Sequence, residues 1–265
     1  MTEQMDENEE RYLEILGEAI ADLRSVPGRL AHPLALASFD AWIKFYRPDE
    51  HTKNSTQSYY SSGALATLCL DLKIRAATRG ERSLDDALAD LYRRSFLKNR
   101  GYTHEDVVLC LNAAAGCDLT QFVSDLVDGP FEPDFAATLE PFGVRIAKKA
   151  ETGAFVGMQL QSDELVIQNV TAGDPAHAAG LAPGDELLAF DGLRIKGGTW
   201  KNVLEQLWTP GKSVRVLLAR RGKILEHTLT PVAAPESLRL EIIPDATDAQ
   251  KLLRRGWLCE KADAK

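Results

Sequence analysis

The sequence predicts an α+β protein: an all-helical N-terminal subdomain followed by a small β-barrel with two helices. Three observations predict it. Up to residue 139 apolar residues recur at helical spacing, and no segment there alternates as a half-buried strand would. From residue 142 short β-like runs appear, separated by Gly, Asp and Pro. The charge balance shifts near the same place. Residues 1–139 carry 14 basic against 23 acidic side chains, net −9, while residues 140–265 carry 17 against 16, net +1. The expected division is a helical subdomain over 1–139, the β-rich domain over 140–232 and a C-terminal tail with a short helix over 233–265.

In the first half, Glu7 to Arg24 sets Leu13, Leu16, Ile20 and Leu23 three and four residues apart, a helical apolar stripe that Pro27-Gly28 ends. A second apolar segment runs from Leu34 to Tyr46 and stops at Arg47-Pro48-Asp49, where proline cannot continue a helix. Residues 47–57 read as a polar loop, with Asn54-Ser55-Thr56 as candidate cap for a helix from Tyr60 to Thr78. Leu65, Leu68 and Leu72 make that helix a buried one, and Arg79-Gly80 closes it. Ser83-Leu84-Asp85-Asp86 opens the next, with serine as N-cap and acids where the helix dipole favours them. Thr103-His104-Glu105-Asp106 repeats that start, and a last helix begins at Asp118 and ends at Gly129-Pro130.

The strand candidates are Val144–Ile146, Phe155–Leu160, Leu165–Val170, Glu186–Phe190, Val214–Ala219 and Ile224–Leu229. Helical pieces interrupt them at Asp174–Ala179 and Thr199–Leu207. Arg221-Gly222-Lys223 reads as a hairpin turn, and Asp248–Trp257 as a short helix in the tail.

The 265 residues are 45% hydrophobic and 26% charged with net charge −8, an ordered composition long enough to bury real cores. The acidic first half makes nucleic acid a poor partner. No apolar run is long enough for a membrane-spanning helix, and the acidic start lacks the basic and apolar pattern of a signal peptide, so a cytoplasmic protein is expected. Cys69, Cys110, Cys117 and Cys259 form no CxxC pair and read as reduced, mostly packed thiols. Trp200, Trp208 and Trp257 are candidates for packing domain surfaces together.

Four segments of the second half together resemble a PDZ domain of the bacterial, circularly permuted kind. Phe155-Val156-Gly157-Met158 resembles its carboxylate-binding loop, and Asp174-Pro175-Ala176-His177-Ala178-Ala179-Gly180-Leu181 its SPAAxAGL helix. Pro183-Gly184-Asp185-Glu186-Leu187-Leu188 and Phe190-Asp191-Gly192-Leu193-Arg194-Ile195 resemble its GDxIL strand start and xNGxxV turn. The resemblance implies a groove in which an extended peptide adds as a strand, its terminal carboxylate on loop amides and its last side chain in an apolar pocket. Phe155, Val156, Gly157, Met158, Leu160, Val203 and Leu207 are the expected peptide-binding residues. Gly157 would let backbone amides converge on the carboxylate with no Cβ in the way.

The first half resembles the C-terminal part of the glycyl aminopeptidase family, zinc metallopeptidases that carry a PDZ domain. Tyr59-Tyr60-Ser61-Ser62-Gly63-Ala64-Leu65, Leu70–Arg75, Ser83–Asp86 and Phe39–Glu50 carry that resemblance. In such enzymes zinc sits on HExxH, two histidines one helical turn apart, with the glutamate activating water. The five histidines here are His32, His51, His104, His177 and His227, and no two lie four residues apart. No metal ligand and no cofactor is therefore expected in this chain, although the intact family uses zinc. Tyr60-Ser61-Ser62-Gly63-Ala64 resembles the clan motif whose tyrosine donates to the tetrahedral oxyanion, with Ser62 where lysine is usual. By resemblance Tyr60 is the candidate catalytic residue, set against a plain role as aromatic anchor at a helix start.

The expectation is a truncated or fragmentary PDZ-containing aminopeptidase homologue that binds peptide C-termini and is inactive alone. The alternative is a freestanding, non-enzymatic PDZ adaptor. Partners are peptide or protein C-termini, with self-association possible through a helical face left uncovered.

Overall fold

The structure is a computed structural model that describes residues 2–161, 165–196 and 208–258. Helix α1 (Thr2–Arg24) turns Leu13, Leu16, Ile20 and Leu23 inward, as their spacing requires. They meet Leu65, Cys69 and Leu72 of α5 (Tyr59–Ala77), with Phe131, Phe135 and Phe142 filling the space between. A second cluster packs Ile74 of α5 against α6 (Leu84–Arg94), α7 (His104–Ala115) and α8 (Thr120–Val127). A short helix α9 (Phe135–Leu139), not foreseen from the sequence, carries Phe135 into the first core. Cys69 and Cys110 are buried as expected, whereas Cys117 is exposed.

Three short pieces between α1 and α5 depart from the sequence reading. Helix α2 (Gly28–Ala31) and helix α3 (Leu34–Phe39) are separate, and α3 ends seven residues before the expected stop at Tyr46. The reason is burial: Trp42 and Ile43 are 78% and 73% exposed, so no core face extends the helix beyond Asp40. The candidate cap Asn54-Ser55 lies instead in or beside a helical turn, α4 (Thr52–Ser55). Ser58 caps α5, its hydroxyl accepting from the Ser61 amide at 3.2 Å. A buried polar set ties α2 to α4: His32 Nδ1 lies 2.7 Å from Thr56 Oγ1, and Gln57 Nε2 donates to the His32 carbonyl at 2.6 Å. Gly28 packs so closely on the Thr56 backbone that a Cβ would collide with it.

The chain enters and leaves the β-rich region through one ribbon. Strand β1 (Val144–Lys149) pairs antiparallel with β10 (Ser237–Ile242), Val144 opposite Ile242 and Lys149 opposite Ser237. Val144 and Leu240 of this ribbon belong to the α1–α5 core. The C-terminal helix (Asp248–Leu258) packs there too, with Trp257 edge-on to Tyr12 and Phe142. Trp257 thus joins the tail to the helices, as its sequence reading allowed.

Between β1 and β10 lie three further sheets. Strand β2 (Ala154–Phe155) pairs with β9 (Val232–Ala233), and β3 (Met158–Leu160) with β4 (Ile167–Val170). Strands β5 (Glu186–Phe190), β6 (Leu193–Arg194), β7 (Val214–Arg220) and β8 (Lys223–Leu229) form a four-stranded sheet in the order β6-β5-β7-β8. Helix α10 (Pro175–Ala178) precedes Gly180 and Leu181. The expected run Phe155–Leu160 is two strands, because Gly157 at φ +71° bends the backbone between them. Among the described residues the sheets do not close into one barrel, yet they share one core of Ile167, Leu187, Phe190, Val216, Leu218 and Leu229. Trp208 lies in that core against Phe190. The expected helix Thr199–Leu207, with Trp200, Val203 and Leu207, lies outside the described residues.

Two ionic features generate predictions. Asp185, fully buried, receives Arg220 Nε at 2.6 Å and Arg220 Nη2 at 2.7 Å, and also the Ala182 amide at 2.9 Å. Removing the arginine leaves a buried carboxylate short of donors, so Arg220→Met is expected to cost about 2–3 kcal/mol in urea unfolding. At the start of α7, the Thr103 amide donates to Asp106 and Arg100 pairs with it, holding the Asp106 carboxyl below the usual range. That stabilisation is complete above the unfolded aspartate value of about 4 and is lost as pH falls through the lower folded value. Asp106→Asn should remove this part of the acid sensitivity, measured by urea midpoints across a pH series.

Candidate peptide-binding site

The residues from Phe155 to Met158 form a bend between β2 and β3. Both carbonyls of the bend are committed inward: Val156 C=O accepts from the Ala176 amide at 2.9 Å, and Gly157 C=O from the Thr171 amide at 2.8 Å. Among the described residues, the amides of Val156 and Gly157 have neither a backbone nor a side-chain acceptor. Two neighbouring donors without partners among the described residues, at a positive-φ glycine, are the groups a carboxylate-binding loop would present. Beyond them β3 pairs with β4 and, among the described residues, with no other strand.

The expected site residues fall into three groups. Phe155, Gly157, Met158 and Leu160 are brought together along the bend and β3. Met158 and Leu160 are half-buried and pack against the β-region core, while Gln159 between them is exposed. Val156 sends its side chain into that core, so it offers its backbone to a ligand rather than its side chain. Val203 and Leu207 lie outside the described residues.

Two residues that sequence reasoning passed over border the bend. Asp174, the residue before α10, lies directly on Gly157, and a Cβ at Gly157 would collide with its side chain. Its carboxylate makes no capping hydrogen bond, and burial pushes its pKa up, opposed by the charges of Lys53 and His177. Asn54 reaches across from α4: its Nδ2 donates to Val170 C=O at 2.7 Å, and its Oδ1 accepts from the Ala172 amide at 2.8 Å. These bonds flank Thr171, whose amide holds the Gly157 carbonyl. No sequence signal pointed to Asn54 in this role, because its partners are backbone atoms more than a hundred residues away.

Tyr60 lies elsewhere, in the first turn of α5, and is 59% exposed. Tyr46 Oη lies 2.8 Å from Tyr60 Oη and 3.0 Å from Tyr59 Oη, and the rings of Tyr59 and Tyr60 are 4.2 Å apart. Hydrogen bonds from Tyr46, then Tyr59, lower the Tyr60 pKa, while the same network raises that of Tyr59. Trp42 stacks on Tyr46 and Phe45 packs edge-on to Tyr46, Tyr59 and Tyr60, completing an exposed aromatic platform.

Among the described residues no three His, Cys, Asp or Glu side chains are grouped to hold a metal. The buried His32 has one ring nitrogen on Thr56 and the other 3.3 Å from Asp40. No helix of the described residues is long and apolar enough to cross a membrane.

Helices, bend and open strand edge together define the class. Residues 155–230 match the family model of the PDZ domain, and residues 4–66 match that of the M61 glycyl aminopeptidases. The two matches fall on separate parts of the chain, the peptidase-family model on its N-terminal helices and the PDZ model on its β-rich region. Its fold is similar to the crystal structure of an aminopeptidase N family protein from Idiomarina loihiensis, at 28% identity and a TM-score of 0.80. The similarity covers 95% of this chain and 45% of that one, so the chain spans less than half of that protein. A serine endoprotease from Yersinia pestis matches 31% of this chain and 29% of its own at 21% identity, with a TM-score of 0.28. The HtrA-type protease AlgW with decapeptide matches 33% and 30% at 21% identity, with a TM-score of 0.26.

The tyrosine cluster gives a direct test. Tyr46→Phe removes a hydrogen bond to the Tyr60 phenolate, so the lowest-titrating tyrosine should shift upward in an ultraviolet pH titration. An unchanged titration would show that the Tyr46 hydroxyl does not govern Tyr60.

Proposed function

We propose that this chain binds the C-terminal ends of peptides or proteins by strand addition along β3. The observation that carries the reading is the pair of unpartnered amides at Val156 and Gly157, set where β3 begins. A terminal carboxylate accepts from those amides, and the residues before it extend the β3–β4 sheet. Met158 and Leu160 supply the apolar floor beneath the last side chain, with Phe155 at its margin.

The chain does not hydrolyse peptides by itself in this reading, because its 265 residues contain no HExxH and the described ones group no metal ligands. Tyr60 would be an oxyanion donor only beside a zinc-bearing site, and within this chain it acts as an aromatic anchor with Tyr46 and Tyr59. The chain is thus the helical and peptide-holding portion of a peptidase homologue.

The test is calorimetric titration of the full chain with a peptide library in free-acid and C-terminally amidated forms. Free-acid peptides are expected to bind at least about tenfold more tightly, since charge-assisted bonds to the carboxylate are lost on amidation. Gly157→Ala, which meets both a positive φ and the Asp174 side chain, should weaken binding by a similar factor while leaving the helical circular dichroism intact. Binding indifferent to the terminal carboxylate would sink the reading. Stoichiometric zinc with turnover of a glycyl substrate would overturn its non-catalytic part.

A further inference from the structure

The bend at Gly157 carries an acidic neighbour that a carboxylate-binding loop does not call for. Asp174 stands where the SPAAxAGL pattern has serine, and its side chain rests on Gly157. It is half-buried and has no hydrogen bond to the α10 amides that would absorb its charge. An incoming carboxylate would therefore meet like charge at the floor of its own site. The charge of Lys53, which belongs to the helical half, opposes that of Asp174, and His177 on α10 lies beside it with its Nδ1 on the Gly173 amide. Lys53 precedes Asn54, whose side chain is bonded on both sides of Thr171, so the helical half meets the loop beside Asp174.

We propose that Asp174 sets the strength and selectivity of this loop for ionised peptide C-termini, weakening their binding at neutral pH, and that Lys53 from the helical half offsets it. The proposal rests on the peptide-binding reading above and names the charge balance that reading left open. It makes carboxylate affinity a property of the junction between the two halves, not of the β-rich region alone. A partner ending in a free carboxylate is held more weakly than the two amides alone would hold it. One ending in an uncharged group is unaffected by the aspartate.

The experiment measures affinities of one free-acid peptide and its amide for the full chain at neutral pH and low salt. Asp174→Asn keeps the shape against Gly157, and Asp174→Ser supplies a second variant with the pattern's own residue. Each should tighten the free-acid peptide by about fivefold and leave the amide unchanged, the size expected of one partly screened charge a few ångströms away. Lys53→Met should loosen the free-acid peptide by about threefold, and the gain from Asp174→Asn should shrink in high salt. Unchanged free-acid affinity in both Asp174 variants, or equal tightening of acid and amide, overturns the proposal while leaving the peptide-binding reading standing. Absence of carboxylate preference in the wild-type chain and every variant overturns that reading itself.

Discussion

The pairing of β1 with β10 is the constraint on which the arrangement of the two halves depends. Six residue pairs run antiparallel from Val144–Ile242 to Lys149–Ser237. One face of this ribbon lies on α1, so Val144 and Leu240 are core residues of the helical half although they lead to and from the other. The bend and strand of the candidate site, Phe155 to Leu160, lie between these two strands. The two hydrogen bonds of the Asn54 side chain and the ring of Trp257 then fix what the ribbon has brought near.

That arrangement explains how charge from one half can act on a site in the other. Asn54 satisfies the backbone of Val170 and Ala172, groups that would otherwise sit part-buried without partners at the junction. Two short side chain–backbone bonds hold a loop more tightly than its sparse apolar contacts would. The Gly157 carbonyl is tied to the same loop through Thr171. The bend's geometry is thus determined by both halves, even though the sequence motif that marks it lies wholly in one.

The long helices were legible because α1 and α5 repeat an apolar stripe, while α6 and α7 begin with recognisable capping chemistry at Ser83–Asp86 and Thr103–Asp106. Strands β5, β7 and β8 were legible for a similar reason: each is a β-branched or leucine-rich run closed by a turn. The hairpin read at Arg221-Gly222-Lys223 is there, with positive φ at both Arg221 and Gly222. What escaped was non-local. Strand β10 reads as an unremarkable alternation in Ser237–Ile242 until β1 is placed beside it. Helix α3 looked longer because Trp42 and Ile43 are apolar, and only three dimensions reveal that nothing covers them. At the site, glycine and motif order located the bend, but the approach of Asp174 and Asn54 depends on tertiary contacts that spacing alone does not encode.

The two-stranded tether has a mechanical consequence. Since β1 and β10 run antiparallel and leave the insert from the same end, a tug on a held peptide does not peel one strand away at a time across a single weak point. The load divides between two covalent exits and is opposed where the ribbon's side chains seat in the helical core, since both strands are drawn the same way and their mutual bonds are not sheared. A partner under tension would thus be resisted first at β3 and only later at the anchorage.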